Sequence, residues 1–413
     1  MYENLKFELY NDGICVDECD RNITGAVEIP KEIIWTDNKK YPVIGIGNWA
    51  FMNCLNLTDI TIPDSITRIG GHAFAFCINL ENITIPGSVS EIYDGAFFGC
   101  SKLKSITIPD GVTAIEDNTF ESCSSLTSVR IPESVTRIER TAFLRCKNLT
   151  SIVVDENNLC YSSENGVLFN KERTEIIAYP EGKPETEYII PDGVRSICFG
   201  AFAYSSNLTK ITIPDSVSHF SSGVLTGCSR LTDIIVSENN PEFSVENGIL
   251  FNKNRTTIIA YPAGKPETEY IIPDSVTELA YYAFTGCVNL KNITIPDSVK
   301  IIGDSAFYDC KKLTEINIPE SVTEIRDFAF EGCKSLVNAK LPDGLARINS
   351  AVFMSCPSLA SVTIPDSVKW IDEDVFFRSE NITDIYYSGD EKGWDSIAKD
   401  VLLPESVKFR FGK

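Results

Sequence analysis

Two histidines among 413 residues leave little imidazole for metal binding or acid–base work. They are His72 and His219, far apart along the chain, and neither stands beside a Ser or Cys motif. The chain contains no G-x-S-x-G, no H-E-x-x-H, no P-loop and no C-x-x-C. Basic residues are scarce beside acidic ones, 37 against 58, for a formal net charge of −21. Nucleic acids and anionic membrane surfaces select clustered Lys and Arg, so this balance argues against both. No apolar run is long enough to span a bilayer. The opening MYENLKFELY has neither the basic n-region nor the apolar h-region of a secretory leader, which leaves a cytoplasmic protein or a mature domain as the expectation. Enzyme, cofactor and metal chemistry find no motif to rest on.

What the chain has is a period. Leu57 to Asn79, LTDITIPDSITRIGGHAFAFCIN, gives the template L-x-x-I-x-I-P-[DEG]-[SG]-V-x-x-I-x-x-x-A-F-x-x-C-x-x. Pro63, Pro86, Pro109 and Pro132 recur at that spacing, as do Pro273, Pro296, Pro319, Pro342 and Pro365. A fixed period of this size marks a solenoid. Within one unit, Leu57, Ile60 and Ile62 bracket polar Thr58, Asp59 and Thr61, as a strand with one buried face requires. Pro63 removes a backbone donor and ends the strand. Asp64-Ser65 reads as a turn whose side chains bond their own backbone. Ile66 and Ile69 send a shorter extended segment inward, and Ala73, Phe74 and Cys77 fill the opposite wall. One such coil cannot bury its apolar side alone; stacked coils can, pairing their strands in parallel at about 4.8 Å per turn.

Ten of the fourteen cysteines fall in one column, Cys54, Cys77, Cys100, Cys123, Cys146, Cys228, Cys287, Cys310, Cys333 and Cys356, with Ser205 at an equivalent position. Stacked side chains point the same way rather than at one another, so the column reads as buried thiols and not as disulfides or a metal site.

The run I-x-I-P-D-S-V-x-x-I-x-x-x-A-F-x-x-C closely resembles the BspA-like class of leucine-rich repeats, over residues 27 to 411. The resemblance implies a leucine-rich-repeat solenoid: a right-handed coil of about 23-residue repeats with a parallel β-sheet on its concave face and short 3-10 or irregular convex segments. It also implies a non-catalytic, adhesin-like binding module of a bacterial cell-surface or secreted protein. Its partner would be a protein or glycan, host extracellular-matrix and cell-surface molecules among them. No particular ligand residue transfers.

Taken in order, residues 1–26 form an N-terminal β cap, a hairpin turning at Asn11-Asp12-Gly13. Residues 27–384 form the solenoid, with Trp35 to Tyr41 an inserted loop. Gly45-Ile46-Gly47-Asn48-Trp49-Ala50 matches a dinucleotide fingerprint without its βαβ context and is read as a repeat position. Two enlarged turns, 155–190 and 237–272, carry near-identical segments beginning at Tyr161 and Phe243, 82 positions apart. Each holds a hairpin, Val167 to Phe169 turning at Asn170 to Arg173 and returning through Thr174 to Tyr179 in the first copy. The hairpins either cap the wall where Phe and Cys are absent or project as grips. Residues 385–413 form a C-terminal cap with a helix over Glu391 to Leu402, striped by Trp394, Ile397, Ala398 and Val401, then a last strand from Val407.

The candidate site is the outward side of the sheet. Its column is mostly Thr, but Val153 with Ile189 and Ile235 with Ile271 read as apolar pairs at the enlarged turns, beside Glu187 and Glu269, with Tyr386 closing the column. Such a group rimmed by charge fits a protein-binding patch, or simply the strand preference of β-branched residues. The alternative function is a structural spacer that displays other domains and has no ligand of its own.

Overall fold

A computed structural model describes residues 4–10, 13–404 and 406–412; Asn11 and Asp12 of the expected N-terminal turn lie outside them. The chain divides into two compact units, Met1–Pro184 with Gly193–Asn207, and Glu185–Asp192 with Leu208–Lys413. Each is a stack of three-sided coils.

The coil beginning at Leu57 shows how one unit is built. Leu57–Thr61 pairs in parallel with Gly25–Glu28 before it and Asn82–Ile83 after it. Leu57, Ile60 and Ile62 are buried and the residues between them exposed, the alternation that period-2 patterning dictates. Pro63 ends the strand, and Ile66 N donates to its carbonyl at 3.1 Å. Ser65 Oγ donates to Val43 O of the preceding coil at 2.6 Å, not to its own backbone as the turn chemistry suggests. Ser88, Ser134 and Ser367 make the same bond, so the turn serines stitch neighbouring coils together. Arg68–Ile69 then pairs in parallel with Lys40–Ile46 and Glu91–Ile92, a second ladder on the second side.

The third side contains no 3-10 helix among the described residues. It is a run of turns that alternate their bonds. His72, Phe74 and Phe76 N–H groups donate to Asp94, Ala96 and Phe98 of the next coil, while Ala73, Ala75 and Cys77 donate to Gly70, His72 and Phe74 of their own. Facing alternate ways places His72 and Phe76 at φ of 54° and 59°, in the left-handed region. The same pair recurs four residues apart as Gly95 and Gly99, Asn118 and Ser122, and Ser305 and Asp309. Non-glycine residues enter that region at roughly 1–2 kcal/mol each, which the inter-coil hydrogen bonds offset.

Phenylalanine fills this wall. Phe51, Phe74, Phe97, Phe120 and Phe143 stack with centroids 5.1, 5.6, 5.8 and 5.8 Å apart. In the second unit Tyr261, Phe284, Phe307, Phe330, Phe353 and Phe376 continue in the same manner at 5.1, 5.0, 5.4, 5.5 and 6.1 Å. Each such contact contributes about 0.5–1.5 kcal/mol beyond the area it buries.

The cysteine column has a specific task beside these rings. All fourteen cysteines are free thiols. Cys77 Sγ donates to Phe51 O at 3.1 Å, Cys100 to Phe74 O at 3.2 Å and Cys310 to Phe284 O at 3.0 Å. Each thiol thus caps the Phe carbonyl of the coil before it. Ser379 Oγ does the same for Phe353 O at 2.7 Å, a position the column pattern hides because the residue is not Cys.

Leu5–Tyr10 and Gly13–Cys19 form the antiparallel N-terminal hairpin, which pairs onto Lys40–Ile46. The Trp35 to Tyr41 loop is the tip of a second hairpin, Glu32–Ile34 against Lys40–Ile46. In the first enlarged turn the strands are three, Tyr161–Glu164, Val167–Asn170 and Glu175–Ala178, antiparallel in sequence order. The tight turn sits at Asn165-Gly166, φ 49° and 78°, ahead of the Asn170 to Arg173 turn that the sequence emphasises. The second enlarged turn repeats all of this at Phe243–Glu246, Ile249–Asn252 and Thr257–Ala260.

At the chain's far end the helix is shorter than its stripe implies, Glu391–Ile397, capped by Asp390 Oδ1 accepting from Gly393 N at 2.8 Å. It stops at Ala398, and the chain then runs on to pair Lys408–Phe411 in parallel with Asp384–Tyr387. Val401 still packs on the core from outside the helix.

Burial pushes the Cys100, Cys123, Cys146 and Cys333 thiols well above their ordinary range and Cys356 up to about 12. Of the fourteen, Cys160 is the one that is not buried. Titration of the native protein with a disulfide reagent at neutral pH is therefore expected to show one fast thiol, lost in Cys160→Ser. The others should react only after denaturation; several fast thiols in the native state would contradict the buried column.

Candidate functional site

The outward faces of the first-side strands present two rows per sheet, fixed by register. In the first unit one row runs Thr107, Arg130, Val153. In the second unit a three-stranded sheet places Ile189, Thr212 and Ile235 in one row and Glu187, Lys210 and Asp233 in the other. A seven-stranded sheet then carries Ile271, Thr294, Asn317, Lys340, Thr363, Tyr386 and Arg410.

The pairs expected from sequence are not paired strands. Ser151–Val154 and Glu187–Ile189 belong to different sheets, as do Asp233–Val236 and Glu269–Ile271. The enlarged turn intervenes: Ile152 N donates to Gly166 O and Ile234 N to Gly248 O, so a hairpin tip takes the sheet edge where the next strand would otherwise bond. The structure instead brings Ile189 and Ile235 together across Thr212, about 9–10 Å apart at two strand spacings. Ile271 and Tyr386 share a row five spacings apart, about 24 Å.

Exposure separates these residues. Ile189 and Ile271 are 71% and 74% exposed, Val153 and Ile235 only 48% and 42%. The two outer isoleucines have the same local cause. In Glu-Tyr-Ile-Ile the tyrosine and second isoleucine turn inward, Ile190 and Ile272 being fully buried, which forces Glu187, Ile189, Glu269 and Ile271 outward. The carboxylates beside them are engaged, Glu187 with Lys210 Nζ at 2.7 Å and Glu269 Oε1 with Asn292 Nδ2 at 3.1 Å. Tyr386 lies under the Arg410 guanidinium, 5.8 Å from its centroid, and Arg410 Nε bonds Asp384 Oδ1 at 3.0 Å. The face is thus polar and mostly neutralised, with single apolar side chains standing from it.

The hairpins are walls rather than arms. Val167, Leu168 and Phe169 are buried, as are Ile249, Leu250 and Phe251. Arg173 covers Phe169 and ion-pairs with Glu164, and Arg255 does the same for Phe251 with Glu246. Each enlarged turn is anchored by one asparagine that sequence reading passed over. Asn158, wholly buried, donates to Pro132 O and Val135 O, both at 2.8 Å, and accepts from Cys160 N and Tyr161 N. Asn240 repeats the set against Pro214 and Val217. The signal was present: both asparagines precede the repeated strand by three residues.

The histidines are apart, His72 bonded to Asp94 O at 3.0 Å and His219 to Ser221 Oγ at 3.2 Å. Among the described residues no three His, Cys, Asp or Glu side chains are placed to hold a metal, and no helix is long and apolar enough to cross a membrane. One carboxyl is out of the ordinary. Glu181 Oε2 is buried without a hydrogen-bond partner among the described residues, and burial raises this acid to about 7.

The model of the BspA-type leucine-rich repeat region matches residues 44–164, 181–264 and 263–383, most of the chain. The structure is similar to the pneumococcal vaccine antigen PcpA, 24% identical over 99% of this chain and 92% of that one, with a TM-score of 0.53. A leucine-rich repeat protein from Eubacterium ventriosum aligns at 22% identity over 99% and 91%, with a TM-score of 0.50. A leucine-rich cell surface protein from Faecalibacterium prausnitzii is 26% identical over 98% of both chains, at a TM-score of 0.47. Curated protein sequences yielded no significant match.

Glu181 sets a pH dependence whose sign follows from linkage. Its folded form holds a proton up to about pH 7, whereas an unfolded glutamate releases it near about 4.3. The contribution is present below the unfolded value and lost as pH rises through the folded one. Denaturant midpoints measured from about pH 4.5 to 7.5 should fall in the wild type and fall less in Glu181→Gln. Identical slopes would contradict the buried acid.

Proposed function

The chain belongs to the BspA-type leucine-rich repeat family, and on that premise we propose that it is a non-catalytic, adhesin-like binding module exposed on a bacterial surface or secreted. It engages a protein or glycan partner through the outward rows of its first-side strands. The observation that carries this reading is the pair of Ile189 and Ile271, each held outward on a strand and 71% and 74% exposed. Exposed aliphatic side chains on a rigid, otherwise satisfied polar face are the anchors that interfaces use, surrounded by groups that cost little to desolvate further. Glu187, Glu269, Val153, Ile235 and Tyr386 form the surrounding polar and apolar contacts.

Ile189→Asp/Ile271→Asp tests the reading. Both side chains are solvent-facing, so the unfolding midpoint should change by less than about 0.5 kcal/mol equivalent. Binding to immobilised host matrix proteins and glycans at physiological salt should be saturable in the wild type and lost in the variant. Unchanged affinity would remove the strand face as the site. An absence of any binding would favour the display spacer.

A further inference from the structure

The two duplicated blocks diverge where the second ladder meets the third wall. In the second unit a cavity of about 270 Å³ opens there, and the matching space in the first unit is about 20 Å³. Shifting first-copy residues by 82 positions shows why. Glu139 becomes Ser221, Arg140 becomes Ser222 and Phe143 becomes Leu225. These three changes remove volume. Phe143 fills its wall by stacking on Phe120 at 5.8 Å, and Glu139 is tied to Arg137 at 2.6 Å. One change runs the other way: Ser196 becomes Glu278, which brings a carboxylate into the lining.

Glu278 and Arg326 are the charged residues of that lining. The Glu278 carboxylate makes no ion pair or hydrogen bond among the described residues, and neither does the Ser222 hydroxyl. Arg326 commits Nε to Glu324 at 2.7 Å and one terminal N–H to the Tyr281 hydroxyl. Its remaining N–H groups have no partner among the described residues.

This set turns several kinds of ligand away. Glu278 repels an anion, and the charge of Arg326 is already matched by Glu324. A cation meets Arg326 itself, whose guanidinium lies over the Tyr281 ring at 5.0 Å and holds the aromatic face that would attract it. A purely apolar molecule would strip water from both charged groups and return no hydrogen bond. What remains is a neutral molecule that donates to Glu278 and accepts from Arg326, with Ser221 and Ser222 able to serve in either sense. Hydroxyl groups do both. Leu225 and Ile259, each half-buried, supply an apolar floor.

We infer that this cavity is a binding site for a pyranose sugar. The C–H face of the ring lies on Leu225 and Ile259, and its hydroxyls donate to Glu278 and accept from Arg326. The volume is at the low end for ligand pockets, about 300–1,000 Å³, which admits one ring. The site stands independently of the strand-face reading.

The test is saturation-transfer NMR and calorimetric titration of the full chain with D-glucose, D-galactose, D-mannose and N-acetyl-D-glucosamine, alongside butylamine as a cation. Saturable binding of at least one sugar, and none of butylamine, is expected. Glu278→Gln keeps the shape of the side chain and should weaken that sugar about tenfold or more, the loss of a hydrogen bond to a charged group. Leu225→Phe, which installs the first copy's residue, should abolish binding; if that variant fails to fold, Glu278→Gln decides. Ile189→Asp/Ile271→Asp should leave sugar binding unchanged, which separates this site from the strand face. No saturable binding of any of the four sugars would overturn the inference. So would saturable butylamine binding, wild-type sugar affinity in Leu225→Phe or Glu278→Gln, or loss of sugar binding in Ile189→Asp/Ile271→Asp.

Discussion

No single coil of this chain can close a core, and the phenylalanine at its third side is buried only because the next coil lays another ring over it. Spacing makes this work. Parallel strands repeat at about 4.8 Å, and rings spaced 5.0–6.1 Å along the stack tilt slightly and remain in contact. The left-handed pairs on that wall, the thiols capping Phe carbonyls and the turn serines are all ways of keeping successive coils in register. Each satisfies a buried polar group that belongs to the neighbour rather than to its own coil.

A consequence is a division of labour among the sides. Wall and second ladder absorb the apolar residues and their constraints, so the outward rows of the first-side strands are free to vary. They hold Thr, Asn, Lys, Arg and Ile in no fixed order while the inward rows stay aliphatic or aromatic. Binding surfaces on such a scaffold are set by substitutions that cost the fold almost nothing. Leu225 is the opposite case, a wall position where one of the two related blocks holds Leu and the other holds Phe143, which stacks on Phe120.

Much of this was legible in the sequence because the period is expressed in side chains that only one position can hold. Proline ended most first-side strands, Ala-Phe marked the wall, and the Cys column marked buried thiols, though not the carbonyls they cap. What stayed hidden depends on hydrogen bonds between coils. Ser65 looks like a local turn residue until the preceding coil's Val43 carbonyl is placed beside it. Left-handed positions filled by Phe76 or Arg145 carry no compositional sign. The expected pairing of Val153 with Ile189 assumed that every strand bonds the next in sequence, whereas the Asn165-Gly166 tip occupies that edge. The helix stripe ending at Val401 marked a face that packs, not a segment that is helical. Of the candidate residues, the outward placement of Ile189 and Ile271 followed from alternation alone, but their isolation from each other did not.

The dependence on stacked neighbours is tested most directly by hydrogen exchange on Phe330→Ala. Its ring contacts Phe307 at 5.4 Å and Phe353 at 5.5 Å, each on an adjacent coil. Exchange should accelerate in the third-side amides of those flanking coils, Ser305 to Asp309 and Ala351 to Ser355, and remain unchanged in the wall from Phe51 to Phe143. Acceleration confined to the substituted coil would contradict the account, because the coils would then be holding themselves.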